Sequence, residues 1–407
     1  YYEGKNRLKN PKIALPEGLK DMMAPVSWPE NVVERKIERM NLLGFTAPEG
    51  IDIDDIFNDN DLEVESIEAH RDALLYGVSY AIAGVGANEF EPEILITIES
   101  PNTTVGTPNR RSRDLDNLLQ VEYDENGNAK RGFYSTRFVD IEFTYNIDSA
   151  INPFYDFYAS EDLVDITVVN VIEHNRGFVP AVQFVNRPRG SRKGGQSEIT
   201  PVIIGHTDQA VLTFAEMALA RELYATPQRY FLGAPDEAFK GPDGKQISRW
   251  EAAMTSMWMT GPMKTGGIDG KNASHAPQIG QFPATSPAPL LEGIRSHAEQ
   301  VTAASGIPLP MLGYSTENPA SAEALNVVNE PLIKSAEDKM RSFGMKWVQL
   351  MRFGLRLKNN GALPENANQI QCHWRSASTP TKAQDADSVT KLIGKGVFLP
   401  DSEVTYN

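Results

Sequence analysis

Apolar residues recur at helical spacing in several stretches of the chain. Positions three and four apart that share one apolar face are typical of a helix that packs on a core. The pattern predicts four such helices, at Trp28–Phe45, Asp61–Gly77, 199–225 and Ala288–Ala304. A fifth and longer helix is predicted from Asn318 to about Leu357. Pro331 lies inside it and is expected to kink it.

Alternating apolar and polar residues predict short antiparallel strands in the first half of the chain. The strands are expected at Val78–Val85, at 94–100, on both sides of a turn that follows Leu118, from Val139, at Leu163–Ile172, at Val179–Val185 and at Gln369–Trp374. The turn, Asp124–Asn128, contains Asn126-Gly127, a pair that supplies the positive backbone angles of a tight hairpin. Helices together with antiparallel strands predict the α+β fold class.

The second half of the chain is predicted to be mainly helical, with an insert between two helices. Residues 226–282 are dense in Gly and Pro, which indicates a small, loop-rich subdomain. The apolar segment Gly306–Tyr314 contains two prolines, which exclude an α-helix there. The predicted order is therefore an α+β region, a helix, an insert, a second helix, a Pro-bounded loop and the long helix.

The net charge of the chain restricts how it can bind nucleic acid. The chain has 407 residues, enough for two or three packed units, and its net charge is -15. Gripping duplex DNA requires clustered Lys and Arg, so this charge argues against a tight DNA-binding surface but not against one past which DNA slides. The most acidic stretch is expected to be a solvated loop and helix start; it contains Asp52, Asp54, Asp55, Asp59, Asp61, Glu63, Glu65, Glu68 and Asp72.

Two further features concern the cellular compartment. No window approaches the roughly 20 uncharged apolar residues that a membrane span requires, so none is predicted. The one cysteine, Cys372, has no partner for an internal disulfide, which fits a chain that folds in a reducing cytoplasm. The sequence opens at Tyr1 without an initiator Met, and we expect an N-terminal tail before it.

The motifs of common enzymes are not found, and neither a cofactor nor a metal is predicted. The six histidines show no metal-binding spacing. Gly241–Lys245 imitates part of a phosphate loop, but Gln246 stands where Ser or Thr must hold magnesium. Gly84-Val85-Gly86 lacks the third glycine of a dinucleotide fingerprint, and there is no nucleophile elbow. The chain is predicted not to be an enzyme.

Eight short landmarks follow one another along nearly the whole chain. They are Tyr1-Tyr2-Glu3-Gly4 with Leu8, Val179-Pro180 leading to Phe184-Val185-Asn186-Arg187-Pro188-Arg189, Thr226-Pro227-Gln228-Arg229 with Gly233, Gly306-Ile307-Pro308, Leu312-Gly313, Asn318-Pro319-Ala320-Ser321-Ala322-Glu323-Ala324, Trp374, and Thr379-Pro380-Thr381. None is catalytic and each alone is weak. In this order they resemble the portal proteins, or head-to-tail connectors, of long-tailed phages, especially those that infect actinobacteria.

The resemblance implies a ring of about twelve identical subunits at one capsid vertex, made in the host cytoplasm and built into the virion. Each part of the chain would have a place in this ring. Residues 1–198 would be the wing, 199–225 and 286–305 the stem helices, 226–285 the clip, 306–318 the tunnel loop, 319–358 the long helix that joins wing and crown, and 359–407 the start of the crown, of which the rest is expected outside this sequence.

The resemblance also implies partners. The ring would bind the terminase large subunit, the head-completion adaptor, and the major capsid and scaffolding proteins. Double-stranded DNA would pass through its channel without sequence specificity during packaging and ejection. No membrane is implied.

Three sets of residues are candidates for these contacts. The DNA-channel loop would comprise Pro308, Leu309, Pro310, Met311, Leu312, Tyr314, Ser315, Thr316 and Glu317; on sequence grounds alone the same segment could be a link that packs on its own subunit. A docking face on the clip would comprise Arg249, Trp250, Met254, Met257 and Trp258, although this spacing also suits an ordinary small core. A basic loop with Arg187, Arg189, Arg192 and Lys193 is expected to be solvated or to touch DNA phosphates or a neighbouring acidic subunit.

Two other functions compete with this hypothesis. One is another phage structural protein, such as a minor capsid or adaptor subunit, which would lack the order of helix, insert, helix, loop and long helix. The other is an α+β enzyme that acts on nucleic acid, which would need paired carboxylates that hold magnesium in a cleft.

Overall fold

A computed structural model describes most of the chain, namely residues 1–6, 25–109, 111–112, 114–146, 165–174, 176–190, 194–224, 229–232, 278–281, 286–314, 322–378 and 390. The chain divides into two compact units. The helical unit consists of Tyr1, Glu3–Ser27 and Ile204–Val301. The α+β unit consists of Tyr2, Trp28–Ile203 and Thr302–Asn407.

Helices and antiparallel strands both occur, which confirms the α+β fold class. The described helices are α1 (Trp28–Ile37), α2 (Asp54–Asp59), α3 (Leu62–Tyr76), α4 (Pro201–Tyr224), α5 (Ala288–Ser305) and α6 (Ala322–Lys358). The described strands are β1 (Leu42–Thr46), β2 (Val78–Val85), β3 (Ile94–Glu99), β4 (Thr104–Pro108), β5 (Leu115–Tyr123), β6 (Ala129–Thr136), β7 (Val139–Asn146), β8 (Asp165–Glu173), β9 (Ala181–Val185), β10 (Arg229–Leu232), β11 (Gln278–Gln281) and β12 (Gln371–Trp374).

The core of the α+β unit lies between helices α3 and α6 and a three-stranded antiparallel sheet of order β3-β2-β9. Apolar positions repeat along α6 at helical spacing, and Ala336, Phe343 and Trp347 are buried there. Trp347 packs on Phe184 of β9, with ring centroids 4.8 Å apart. A helix of 37 residues is about 55 Å long. Pro331 lies inside it as the sequence indicates.

A second, five-stranded antiparallel sheet has the order β4-β5-β6-β7-β8. The hairpin between β5 and β6 turns at Asp124–Asn128, as predicted, and Gly127 has a φ of +81°. Asp124 stabilises the turn by accepting hydrogen bonds from the backbone N–H groups of Asn126 and Asn128, at 2.9 and 2.8 Å. Local turn chemistry therefore suffices to place this hairpin.

The prediction of one helix from Trp28 to Phe45 is wrong. Helix α1 ends at Ile37, and Leu42–Thr46 form strand β1, which pairs antiparallel with β12. The apolar residues at 40, 42 and 43 fit a helical period and a strand equally well. Pairing with a segment more than 300 residues away decides the outcome, because tertiary contacts override a local pattern.

A buried histidine anchors α3 to α6. His70 is fully buried, and Trp347 Nε1 donates a hydrogen bond to its Nε2 atom at 2.9 Å. The His70 ring also stacks on Phe343, with centroids 5.4 Å apart. Burial lowers the pKa of His70 to about 3, so the folded protein holds this ring neutral.

The stability of the α+β unit is expected to fall below pH 6.5 because of His70. In the unfolded chain this imidazole binds a proton near its ordinary pKa of 6.5, whereas the folded state resists protonation down to about 3. Stability is therefore full above pH 6.5 and is lost as the pH falls towards 3. Between pH 6.5 and 5 the loss attributable to this ring is roughly 2 kcal/mol.

Urea unfolding at pH 7 and pH 5 measures this loss. His70→Gln keeps an acceptor for Trp347 but no titrating group, so its stability should depend less on pH than that of the wild type. His373→Gln, at an exposed position on β12, is the matched control and should behave as the wild type does. Equal pH slopes for the wild type and His70→Gln would contradict the assignment.

Candidate functional site

Helices α4 and α5 contact each other in the helical unit through two histidines. The Nδ1 atoms of His206 and His297 lie 3.0 Å apart, so one ring donates a hydrogen bond to the other. Burial, and next the charge that His206 can carry, lower the pKa of His297. Both effects favour the neutral form of His297. The Tyr1 hydroxyl donates to the Asp208 carboxylate at 2.9 and 3.0 Å, which holds the first residue against α4.

Helix α4 has apolar residues around most of its circumference. Ala210, Val211 and Ala215 are buried, yet Phe214 is also exposed to solvent, as is Leu291 on α5. A helix that is apolar on all sides is normally covered on all sides. The helices predicted at 199–225 and 286–305 are confirmed as α4 and α5. Each has an apolar side chain that is exposed in the described part of the chain.

The insert between α4 and α5 begins and ends in paired strands. Strand β10 lies antiparallel to β11, with Arg229 opposite Gln281 and Leu232 opposite Gln278. This pairing brings the two ends of the insert together at one place. The predicted docking residues Arg249, Trp250, Met254, Met257 and Trp258 lie outside the described residues.

The Pro-bounded loop after α5 packs on its own subunit. Gly306 has a φ of +74°, and Leu309–Leu312 form a short 3-10 helix that contacts α1. The Tyr314 ring lies 6.4 Å from the Trp28 ring, measured between centroids. The loop therefore packs partly on α1.

This packing corrects part of the predicted DNA-channel loop. Pro308 and Leu312, two of its predicted members, are buried in the single chain. The alternative, a link that packs on its own subunit, describes these two residues. Pro310 is exposed, and Leu309, Met311 and Tyr314 are half-buried; Ser315, Thr316 and Glu317 lie outside the described residues.

The basic loop needs a similar correction. Arg187 has a φ of +50° and donates from Nε and Nη2 to the two carboxylate oxygens of Glu198, both at 3.0 Å. It was expected to be solvated or to touch DNA phosphates or a neighbouring acidic subunit. In the structure its guanidinium forms this bidentate ion pair within the subunit, and 32% of the side chain stays exposed. Arg189 is exposed as predicted, and Arg192 and Lys193 lie outside the described residues.

Glu198 is the centre of a buried ion cluster that the sequence reasoning missed. Its carboxylate forms ion pairs with Lys36 of α1, with Lys339 of α6 at 2.7 Å and with Arg187. Asn186 Nδ2 also donates to it, at 2.9 Å. The cluster joins α1, α6 and the segment before α4. One signal could have located it, because Lys36 follows Val32 and Val33 on the apolar face of α1.

Burial and charge oppose each other in this cluster. Burial alone would raise the pKa of Glu198, but the charges of Lys36 and Lys339 outweigh it and hold the pKa well below its usual range. Burial lowers the pKa of Lys36 to about 8, although Glu198 favours its charged form. Glu198 is therefore ionised at neutral pH and offsets the positive charges around it.

The described residues offer no site for metal chemistry. Among them, no three His, Cys, Asp or Glu side chains lie close enough together to hold a metal ion. Burial raises the pKa of the Cys372 thiol to about 12, which keeps it protonated and unreactive. Within the same part of the chain, no helix is long and apolar enough to cross a membrane.

The fold is similar to that of proteins in gene transfer agent particles. A chain of the structure "Virion of native gene transfer agent (GTA) particle" aligns with a TM-score of 0.51 at 14% identity, over 96% of this chain and 93% of that one. A chain of "Neck of empty GTA particle computed with C6 symmetry" aligns with a TM-score of 0.51 at 12% identity, over 95% and 88%. The chain thus shares its fold with these two chains of GTA particles.

Sequence comparison identifies the family. The profile described as "Phage portal protein, SPP1 Gp6-like" matches residues 1–401, and the chain belongs to this family. The portal protein of Mycobacterium phage D29 is 28% identical over 410 residues, and that of Mycobacterium phage L5 is 27% identical over 409. Each alignment covers 97% of this chain and 78% of the relative. The resemblance to actinobacteriophage portal proteins is confirmed, and with it the portal function; the family is structural, not enzymatic.

Proposed function

We propose that about twelve copies of this chain form a ring at one capsid vertex, through which phage DNA enters and leaves. The observation that carries the proposal is the order of elements in a chain of the portal family: helix α4, an insert closed by β10 and β11, and helix α5. Two helices joined by an insert whose first and last strands pair place that insert at one end of a helical column. Such a column, repeated by rotation, encloses a channel.

Open apolar surface on the column supports ring formation. Phe214 and Leu291 would be covered by neighbouring copies, and small residues such as Gly293 permit close approach of helices. A contact between two different faces of the subunit gives a closed ring when the rotation between neighbouring subunits is a whole fraction of 360°. The neck of the GTA particle, which contains a chain of related fold, was computed with C6 symmetry. Six-fold symmetry is compatible with twelve subunits.

We assign the remaining parts by the same proposal. The wing is formed by 1–198, the stem by α4 and α5, the clip by 226–285, the tunnel loop by 306–318, and the wing-to-crown connection by α6, with the crown beginning within 359–407. The clip docks the terminase large subunit during packaging and the head-completion adaptor afterwards, with Trp250 and Trp258 as apolar anchors. The capsid and scaffolding proteins contact the ring from outside.

DNA passes this ring without being gripped. The net charge of -15 repels phosphates, and the Pro-bounded loop has few cationic groups. We propose that DNA contacts exposed Pro310, its half-buried neighbours Leu309, Met311 and Tyr314, and Ser315, Thr316 and Glu317. Arg189, Arg192 and Lys193 contact phosphate or the acidic surface of the next subunit.

Replacing Ser315, Thr316 and Glu317 by Gly should leave the ring intact and reduce the amount of DNA packaged. The change removes side chains at the channel without touching buried Leu312. Packaged DNA per particle, measured as nuclease-protected genome, reports the effect, and the mass of the ring reports assembly. Leu312→Ala is the control and should lower subunit stability by about 2–3 kcal/mol instead. Normal packaging by the triple variant would contradict the placement of the loop.

We also propose that the chain catalyses no reaction. The energy for DNA movement then comes from the ATP chemistry of the terminase. A purified ring should show neither nuclease nor ATPase activity with magnesium present, above the level of a preparation from cells that lack the gene. An activity that copurifies with the ring and disappears on substitution of its carboxylates would support the competing enzyme hypothesis.

A further inference from the structure

The loop between β2 and β3, residues 86–93, carries a phenylalanine that lies almost wholly in water. Phe90 is 97% exposed, and Val85, the last residue of β2, is 64% exposed. Nothing in the described part of the chain covers the Phe90 ring. Scattered exposed apolar residues are ordinary on protein surfaces, so exposure alone does not define a site. What indicates a site here is the structure of the loop and the charge around it.

Hydrogen bonds within the loop hold Phe90 in its exposed position. The Glu91 carboxylate accepts a hydrogen bond from the N–H of Ala87 at 2.8 Å and another from Asn88 Nδ2 at 2.6 Å. Asn88 Oδ1 accepts from the N–H of Phe90 at 3.0 Å. A loop that is braced in this way loses little conformational freedom when a partner binds it. The Phe90 ring is therefore a preorganised apolar anchor.

The loop around this anchor is acidic. Glu89 precedes the ring and is exposed. Glu93, at the far end of the loop, is 64% exposed and forms an ion pair with Lys358 of α6 at 3.4 Å. With Glu91, three carboxylates of the loop stand against this one lysine, so the loop keeps a net negative charge.

Helix α2 extends the acidic surface beside the loop. Asn60, which follows α2, donates to the carbonyl of Ile94 at 2.8 Å and ties the end of the helix to the first residue of β3. Four exposed aspartates lie on α2 or just before it, namely Asp52, Asp54, Asp55 and Asp59. Repulsion from Asp52 is the largest of the effects that raise the pKa of Asp55, whereas the charge of Lys358 lowers it. Lys358 thus lies near both the loop and α2, which form one acidic surface.

We propose that Phe90 and the acidic surface around it bind a basic segment of another protein of the assembling particle, with an apolar pocket that takes the Phe90 ring. An aromatic anchor surrounded by polar and charged groups is the usual arrangement of a protein interface. The carboxylates select the partner by charge, because they attract Lys and Arg and repel DNA phosphates. A second copy of this chain fits less well, since each copy has a net charge of -15.

The inference rests on the proposed function, which puts the chain into a particle with other proteins. The test replaces Phe90 in the full chain by the photo-crosslinking analogue benzoylphenylalanine while particles assemble in infected cells. Irradiation should link position 90 to another particle protein, within a segment that has an excess of Lys and Arg. Mass spectrometry of the linked peptides locates that segment. The same analogue in place of Phe138, 57% exposed at the turn between β6 and β7, is the matched control and should not link to it.

Binding of the purified linked protein to unmodified rings provides a second measurement. Phe90→Ser should weaken this binding at least about tenfold, whereas Phe138→Ser should leave it unchanged. Glu89→Gln should weaken it more at low than at high salt concentration, because salt screens exposed charges. Circular dichroism shows whether each variant is folded.

Three results would overturn the inference: links from position 90 to a second copy of this chain or to a segment without excess basic residues, no link at all, or unchanged binding by Phe90→Ser. A wild-type protein that forms no ring and enters no particle would instead contradict the proposed function.

Discussion

Glu198→Ala should destabilise the α+β unit by at least about 3–5 kcal/mol and leave little folded protein at 37 °C. The substitution leaves Lys36 and Lys339 buried with no opposite charge, and it removes both acceptors of Arg187. The folded state would then have to deprotonate a lysine or admit water. Urea unfolding, followed by the fluorescence of the buried tryptophans, measures the loss.

Two comparisons separate this effect from ordinary loss of an ion pair. Asp338→Ala breaks the exposed pair with Arg341 on the same helix α6 and should cost less than about 1 kcal/mol. Adding Lys339→Met to Glu198→Ala should restore part of the stability, because one unpaired buried charge is removed. A loss below 1 kcal/mol for Glu198→Ala alone would show that the cluster does not join α1 to α6.

Trp347→Ala should lower the stability of the α+β unit by about 3–5 kcal/mol. The indole is fully buried among Phe184, Phe343 and His70, and its removal leaves a cavity between α6 and the sheet. It also leaves the Nε2 acceptor of His70 without its donor, and this lost hydrogen bond accounts for about 1–3 kcal/mol of the total. Unfolding by urea at pH 7, where His70 is neutral, measures both effects together.

Trp347→Phe separates the two contributions. Phenylalanine keeps most of the apolar volume but cannot donate to His70, so the expected loss lies well below that of the alanine variant. Met345→Ala, at a 66% exposed position of α6, is the control and should change stability by less than about 0.5 kcal/mol. Equal stability of Trp347→Ala and Met345→Ala would place Trp347 outside the core.

Elements with a long apolar period or a specific turn could be predicted from the sequence. The stripe that contains Phe343 and Trp347 located α6, and Asn126-Gly127 located the hairpin. Strand β1 could not be predicted, because its partner β12 lies more than 300 residues away and nothing local distinguishes a strand there from a continued helix. The short helix α2 was not predicted for a related reason. Its six residues are too few for a helical repeat of apolar positions to be detected.

The candidate site was predicted as an order of segments but not as a set of contacts. The landmarks assigned the loop around Pro308 to the portal pattern, yet its burial on α1 depends on Trp28, which is distant in sequence. Arg187 was assigned to a basic loop because charge patterns do not reveal that Glu198 is buried beside it. The order of the short landmarks along the sequence identifies the family, whereas burial and ion pairing can be determined only from the folded chain.

The mass and symmetry of the purified protein test the central claim most directly. Native mass spectrometry should give one dominant species of about twelve subunits of 45.0 kDa, and class averages from electron microscopy should show a closed ring with a central hole. A species of one or two subunits without a hole, at every concentration and in the presence of the scaffolding protein, would contradict the account.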